Sequence, residues 1–580
     1  MIKKSLSGGN LRFSCRNQSV FNLWRRIFCV MNPCWILKLC HAALPVLPAC
    51  VLCWVSCYQL SAATTDVQPS QSEYLGPVVT CLDTLMRDGT DHYGSVHAPI
   101  LVSILDVETH KCPSNPAALD EAFRVIRGDR RNPAGANLHT DLPTLRTMYA
   151  LSQATGNPKY AHFADEYVRW YTTHLVDERG FFWWGWHRHY DVYTDTTKGH
   201  LGSPHEIHSI SEVPWKQFWL VNSNAVRREI EAIWQWHVID KKTGEVNRHG
   251  DGQQGCDFAM AAGGYANAFA FMYHQTGDQI WLVRARLLAD YFWERRNPKT
   301  GLIADRPNAG PNRFDGSHFD TSITAFYCHA LLKCYELTGD ARFKDQAVSY
   351  LKAYRRYGYD SKAGKFWGSM KLDGTPVPGP RLMMTNTIDK YVTSTETQYW
   401  IYEPRGYLDL WQPYVAGYEH PIPTAEEYAY AALVTGDPEL RNTAEKFASW
   451  IREKFPPRSC ETNSWYRGYA EDFAPKGTYA GFYGQTISFF LQMYLVTGNS
   501  DDLQWARKVA DEAIAKLYYN GLFRGHPAKP YYEAMDGVGQ LLYSLLELDR
   551  VLVNPKQAVA EKAIPLRDGQ NTDTMPVDNW

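Results

Sequence analysis

Paired segments along this chain repeat apolar residues at i, i+3, i+4 and i+7, the period of an amphipathic helix. Residues 145–154 and 160–171 form one such pair, and 330–337 and 343–354 another. Between the two members of a pair stands the same phrase, Thr-Gly-Asp or Thr-Gly-Asn. It occurs five times, with its glycine at Gly156, Gly277, Gly339, Gly436 and Gly498. Glycine fits the left-handed position just past a helix. The residue that follows (Asn157, Asp278, Asp340, Asp437 or Asn499) is a good N-cap for the next helix. Each phrase therefore predicts the tight turn of a helical hairpin. Several second helices run into a glycine followed by apolar residues, at Gly180, Gly301, Gly364 and Gly521. That pattern predicts a glycine stop and a short extended segment.

Successive turns lie 121, 62, 97 and 62 residues apart. The shorter spacing fits one hairpin and its return loop. The longer ones leave room for a drifted turn or an insertion. Internal repetition of this kind predicts an all-α fold, an (α/α)6 or (α/α)7 toroid of helical hairpins with short β segments in the loops. An open solenoid of helical pairs is the alternative.

The two ends of the chain read differently. Residues 1–30 carry Lys3, Lys4, Arg12, Arg16, Arg25 and Arg26 and no acid. An apolar stretch over 42–58 and small residues at Ser61, Ala62 and Ala63 follow. Basic, apolar, small is the order of an export signal, so residues 1–63 are expected to be a leader, with Met31 a candidate true start. Pro45 and Pro48 and the short length argue against a membrane span, so none is expected after cleavage. The expected location is periplasmic or extracellular; the alternative is anchoring by an uncleaved leader or a lipidated Cys57. Residues 68–552 read as one catalytic domain and 553–580 as a polar tail. Of the 13 cysteines, Cys81, Cys112, Cys256, Cys328, Cys334 and Cys460 lie outside the leader and show no CxxC pairing, which argues against a zinc site or a dense disulfide framework.

Net charge is −2 and no basic tract occurs, which argues against a nucleic-acid partner. Twenty tryptophans are many, and Trp183, Trp184, Trp186, Trp367, Trp411 and Trp465 fall in loops where flat faces can stack on sugar rings. Core packing accounts for any one of them equally well.

Polar chemistry clusters where the hairpin pattern breaks. One segment holds Trp186, His187, His189, Tyr190 and Asp191, then His205, Glu206 and His208. Its histidines resemble metal spacing, but a zinc helix needs them four apart and His205 and His208 are three apart, so no metal is expected. Asp257 opens a small-residue helix from Ala259, either as a cap or as a catalytic carboxylate. Arg306 is able to pair a substrate carboxylate or, equally, Asp305 or Asp315. Arg405, Arg467 and Arg524 stand in similar loops, and Tyr532, Glu533 and Asp536 precede the last apolar helix.

The stretches 93–100, 104–106, 135–138, 141–143, 186–191, 256–257 and 531–537 together resemble glycoside hydrolase family 154, similar to β-glucuronidases. Toroidal polysaccharide lyases acting on uronates are the near rival. The resemblance implies an exported six-hairpin enzyme without cofactor, acting on an acidic polysaccharide or oligosaccharide. Hydrolysis needs two carboxylates, from Asp191, Glu206 and Asp257. Elimination would use Tyr190, His189, His205 and Arg306. Either way Tyr190, Asp191, His205, Glu206 and Asp257 are the candidate catalytic residues. Trp186, His187, His189, His208, Arg306, Tyr532, Glu533 and Asp536 are the candidate substrate contacts. A non-catalytic glycan-binding toroid is a further alternative.

Overall fold

The computed structural model describes residues 73–114, 135–185, 188–199, 205–206, 213–249, 252, 254–310, 314–379, 382–384, 401–411, 419–457 and 477–560. Within them all five repeated phrases form hairpins. Helix α1 (Leu75–Asp88) comes first, then the pair α2 and α3 (Leu138–Thr155, Lys159–His174), the single helix α4 (Trp215–Ala232), and the pair α5 and α6 (Ala259–Thr276, Gln279–Arg295). The pairs α7 and α8 (Cys328–Thr338, Ala341–Gly358), α9 and α10 (Pro421–Thr435, Pro438–Lys454), and α11 and α12 (Ala480–Thr497, Ser500–Leu517) follow, before α13 (Val538–Val553).

The turns are built alike. All five glycines are left-handed, with φ between 69° and 73°. All five Asp or Asn side chains accept the N–H two residues on, at 2.8–3.1 Å. The threonine, which the sequence pattern left unexplained, joins the two helices. Its hydroxyl donates to the carbonyl four residues back, at 2.6–2.8 Å. It also accepts the N–H of the capping residue, at 3.0–3.3 Å.

The first helix of each hairpin is the more deeply buried. Around α11 the buried residues run through all faces, whereas α12 buries one stripe. Helices α2, α13, α11, α9, α7 and α5 pack in that order, each on the next, and make the inner layer. Helix α4 packs on both α3 and α5 and spans the remaining gap. The ends of the described chain meet: α1 packs on α13, Tyr74 donates to Asp511 at 2.8 Å, and strand Ile104–Asp106 pairs antiparallel with Tyr531–Glu533. The ring is closed, an α/α toroid and not an open solenoid. Strands are confined to small sheets of two or three strands in the loops. Gly364 and Gly521 turn two of the small hairpins, so there the glycine shapes a β-turn after the helix rather than ending the helix itself.

Because each tight turn sends the chain to the outer layer, every inner helix runs the same way. The tight turns share one rim, and the long connections share the other. Residues just before inner helices therefore converge on the second rim, however far apart they are in sequence. Residues 1–72, which include the expected leader, and residues 561–580 lie outside the described residues. The five described cysteines of the body are free and buried, and no helix of the described residues is long and apolar enough to cross a membrane.

Candidate functional site

Glu206 is the centre of the polar cluster at that rim. Gly185 and Glu206 form an isolated parallel bridge, and Asn137, the N-cap of α2, donates its amide to the Gly185 carbonyl at 2.7 Å. The extended backbone sends His205 and Glu206 to opposite sides. The Glu206 carboxylate meets two side chains from the segment after α4: Arg248 Nε at 3.4 Å from Oε1 and His249 Nε2 at 3.4 Å from Oε2. Arg248 Nε also lies 3.2 Å from His249 Nε2.

Phe258, one residue before α5, ties this group to the next connection. The Arg248 guanidinium lies 3.8 Å from its ring centre and that of Arg306 4.5 Å. Arg306 in turn pairs with Asp315 at 2.6 Å. Stacked, planar guanidiniums keep their N–H edges available for carboxylates. Behind them Asp305 is fully buried, and neither of its carboxylate oxygens finds a hydrogen-bond donor among the described residues. Burial raises it well above the carboxylate range, and the charges of Asp320 and Asp315 raise it further, against Arg306 and Arg248. Burial likewise pushes Asp320 up to about 7, although Ser322 N–H donates to it at 2.8 Å. Both carboxyls are thus held above the ordinary carboxylate range, the direction expected of a crowd of buried acids.

The other candidates sit as follows. His205 is 1% exposed, with its ring between Trp184 Nε1 at 2.8 Å and His237 Nε2 at 2.8 Å. Asp257 adjoins Phe258, but its carboxylate accepts from Tyr291 of α6 at 2.7 Å and from Asn308 N–H at 3.0 Å. Tyr190 and Asp191 lie on strand Arg188–Asp191, opposite Ala136 and Gly135. The Tyr190 hydroxyl reaches Asp195 at 3.3 Å, and Asp191 accepts the N–H groups of Tyr193 and Thr194 in its own turn. His189, which precedes Tyr190 and shares the strand face of Asp191, is pushed down to about 4 by burial. Tyr532 is buried opposite Leu105, while Glu533 and Asp536 share buried Lys529 at 3.2 and 2.7 Å. Trp186, His187 and His208, like Trp465 and Arg467, lie outside the described residues. Among the described residues no group of three or more His, Cys, Asp or Glu is arranged to hold a metal ion.

The structure thus brings Glu206 and Arg306 together through residues that sequence reading passed over, Arg248 and His249 above all. Their signal was there: a polar run, Asn247, Arg248 and His249, separated from Cys256 and Asp257 by residues 250–255. It is short and has no periodicity, and only the strand pair at Val238–Asp240 and Glu245–Val246 turns it toward the rim.

A family model described as "Periplasmic pectate lyase" matches residues 121–267. That span contains Asn137, Glu206, Arg248, His249 and Phe258. The pectate disaccharide-lyase of Dickeya dadantii (strain 3937) is 32% identical over 110 residues, 18% of this chain. The match spans 20% of that relative's length. Among solved structures, the unsaturated glucuronyl hydrolase of Bacillus sp. GL1 is similar with a TM-score of 0.40 at 13% identity, over 71% of this chain and 96% of that one. Cellobiose 2-epimerase from Bacillus thermoamylovorans B4167 is similar with a TM-score of 0.40 at 11% identity, over 66% and 86%. The α-1,6-mannanase of Salegentibacter sp. HEL1_6 gives 0.39 at 10% identity, over 82% and 99%.

Proposed function

We propose that this protein is an exported carbohydrate-degrading enzyme that cleaves a uronate-containing glycan by β-elimination, with pectate as the first substrate to test. The observation that carries the reading is the pair of guanidiniums, Arg248 and Arg306, over one phenyl ring beside Glu206 and His249. Elimination needs a cation on the uronate carboxylate, which makes the C5 proton more acidic, and a base within reach of that proton. In this assignment the guanidiniums take the carboxylate and Glu206 holds Arg248 and His249 in place. His249 takes the C5 proton. The C4–O bond breaks, the C4=C5 double bond forms, the leaving oxygen takes a proton from water, and His249 returns the C5 proton to solvent. The match of residues 121–267 to a periplasmic pectate lyase family supports both the chemistry and the export.

Hydrolysis by a carboxylate pair, as the resemblance to glycoside hydrolase family 154 implies, is the second reading. The upward shift of Asp305 and Asp320 favours it, since a hydrolase needs an acid that keeps its proton for the leaving group. Ultraviolet absorbance on polygalacturonate separates the two. Elimination yields an unsaturated uronate that absorbs; new reducing ends without absorbance would mean hydrolysis and sink the elimination reading.

A further inference from the structure

His205 and His237 lie behind the Glu206 cluster, and no step of the elimination uses either. Both are buried, at 1% and 0% exposure. The groups at the two ends of the pair fix the direction of every proton between them. The Trp184 indole N–H only donates, and it meets His205 Nε2 at 2.8 Å. The Asn247 carbonyl only accepts, and it lies 2.7 Å from His237 Nδ1. Between them, His205 Nδ1 and His237 Nε2 are 2.8 Å apart. Two neutral imidazoles, each protonated on Nδ1, satisfy all three contacts. An added proton would set two donors face to face. Burial keeps both rings neutral, holding them well below the ordinary histidine range. Glu229, 3.1 Å from His205 Nε2, is pushed by burial up to about 8, so at neutral pH it brings another proton and no charge.

The far end of this chain grips the segment that carries Arg248 and His249. Asn247 N–H donates back to the His237 carbonyl at 2.7 Å, and Arg248 N–H donates to the Cys256 carbonyl at 3.0 Å. Tyr265 hydroxyl lies 2.9 Å from His237 Nδ1 and 3.3 Å from the Arg248 carbonyl. Asn247 Oδ1 accepts the His249 N–H at 2.7 Å. A π-helical turn, Ile233–His237, closes α4 and delivers the His237 ring to this point.

We propose that His205 and His237 are positioning residues, a one-way relay of neutral imidazoles that holds Arg248 and His249 against Glu206. The proposal rests on reading that cluster as the reacting centre. It gives His205 a supporting role in place of the acid–base role its sequence neighbourhood suggested.

The test uses His237→Phe, which keeps a ring and removes both nitrogens, and His237→Asn, which keeps an N–H for the Asn247 carbonyl. On polygalacturonate the Phe variant should lose kcat by about 10- to 100-fold with KM within about threefold, and the Asn variant should recover most of it. Equal losses in both variants, matched by equal falls in melting temperature, would make His237 ordinary core and overturn the proposal. A second readout needs no turnover. In 15N-histidine spectra of the wild type, His205 and His237 should both be neutral and protonated on Nδ1. The His249 resonance should move in the Phe variant and return in the Asn variant. An Nε2-protonated or doubly protonated ring, or a His249 signal indifferent to both changes, overturns the relay. Absence of turnover with these spectra intact counts against the elimination reading alone.

Discussion

A Cβ placed on Gly185 would come within 2.2 Å of the Glu206 carbonyl oxygen. The glycine has φ +113°, a conformation side chains rarely adopt, and the backbone contact is what sets Glu206 into the cluster. Gly185→Ala should therefore cost about 1–3 kcal/mol of stability and displace Glu206. Activity at a temperature where the variant is folded should fall far more than the shift in melting temperature suggests. A variant with wild-type turnover would separate Gly185 from the site.

Arg306 and Asp315 make a buried pair, so removing one partner strands the other. Arg306→Ala should cost about 3–5 kcal/mol, and adding Asp315→Asn should restore part of it. Binding should not be restored with it: KM for a uronate should stay raised in both variants and change little for the methyl ester. Recovery of KM along with stability would make Arg306 purely structural.

Asp141 is fully buried in the first turn of α2, accepts from Tyr167 at 2.7 Å, and is pushed by burial up to about 8. Its unfolded counterpart titrates near ~4. Between these values the folded chain holds a proton that the unfolded chain has lost, so stability falls as pH rises. Glu229 and Asp320 act in the same direction. Denaturant unfolding between pH 5 and about 8.5 should show the decline, and Asp141→Asn, neutral throughout, should flatten it. An unchanged slope would mean that Asp141 is ionised in the native state.

Asp278 caps α6 by accepting the Ile280 N–H at 3.0 Å. Its replacement by Ala should cost about 1 kcal/mol, read as a lower melting temperature with kcat unaltered. Loss of kcat would mean that the turn rim is coupled to the opposite one.

The hairpins were legible because their determinants are local. A left-handed glycine, a capping Asp or Asn and an apolar stripe each act within a few residues, and each is where the repeat puts it. Closure was legible only by counting repeats, since the contacts that make it, such as Tyr74 with Asp511, join opposite ends of the chain. Of the proposed site, the sequence singles out Glu206 and Arg306 and not what joins them. Arg248 and Arg306 meet through Phe258, an aromatic that reads from sequence as plain core, and no local pattern records a shared ring. His205 shows the same limit. In sequence it neighbours Glu206, but strand alternation turns it to the opposite side, away from the cluster.

The common direction of the inner helices has an electrical consequence. Each helix carries roughly half a positive charge at its amino end from its aligned peptide dipoles. In this ring those ends all open on the rim with the long connections, where Glu206, Arg248 and Arg306 lie. The backbone alone therefore gives that mouth a positive potential, in a chain whose formal net charge is only −2. An anionic polymer approaching from solution would feel the pull of the ring before it touched any single arginine, and added salt would weaken that pull.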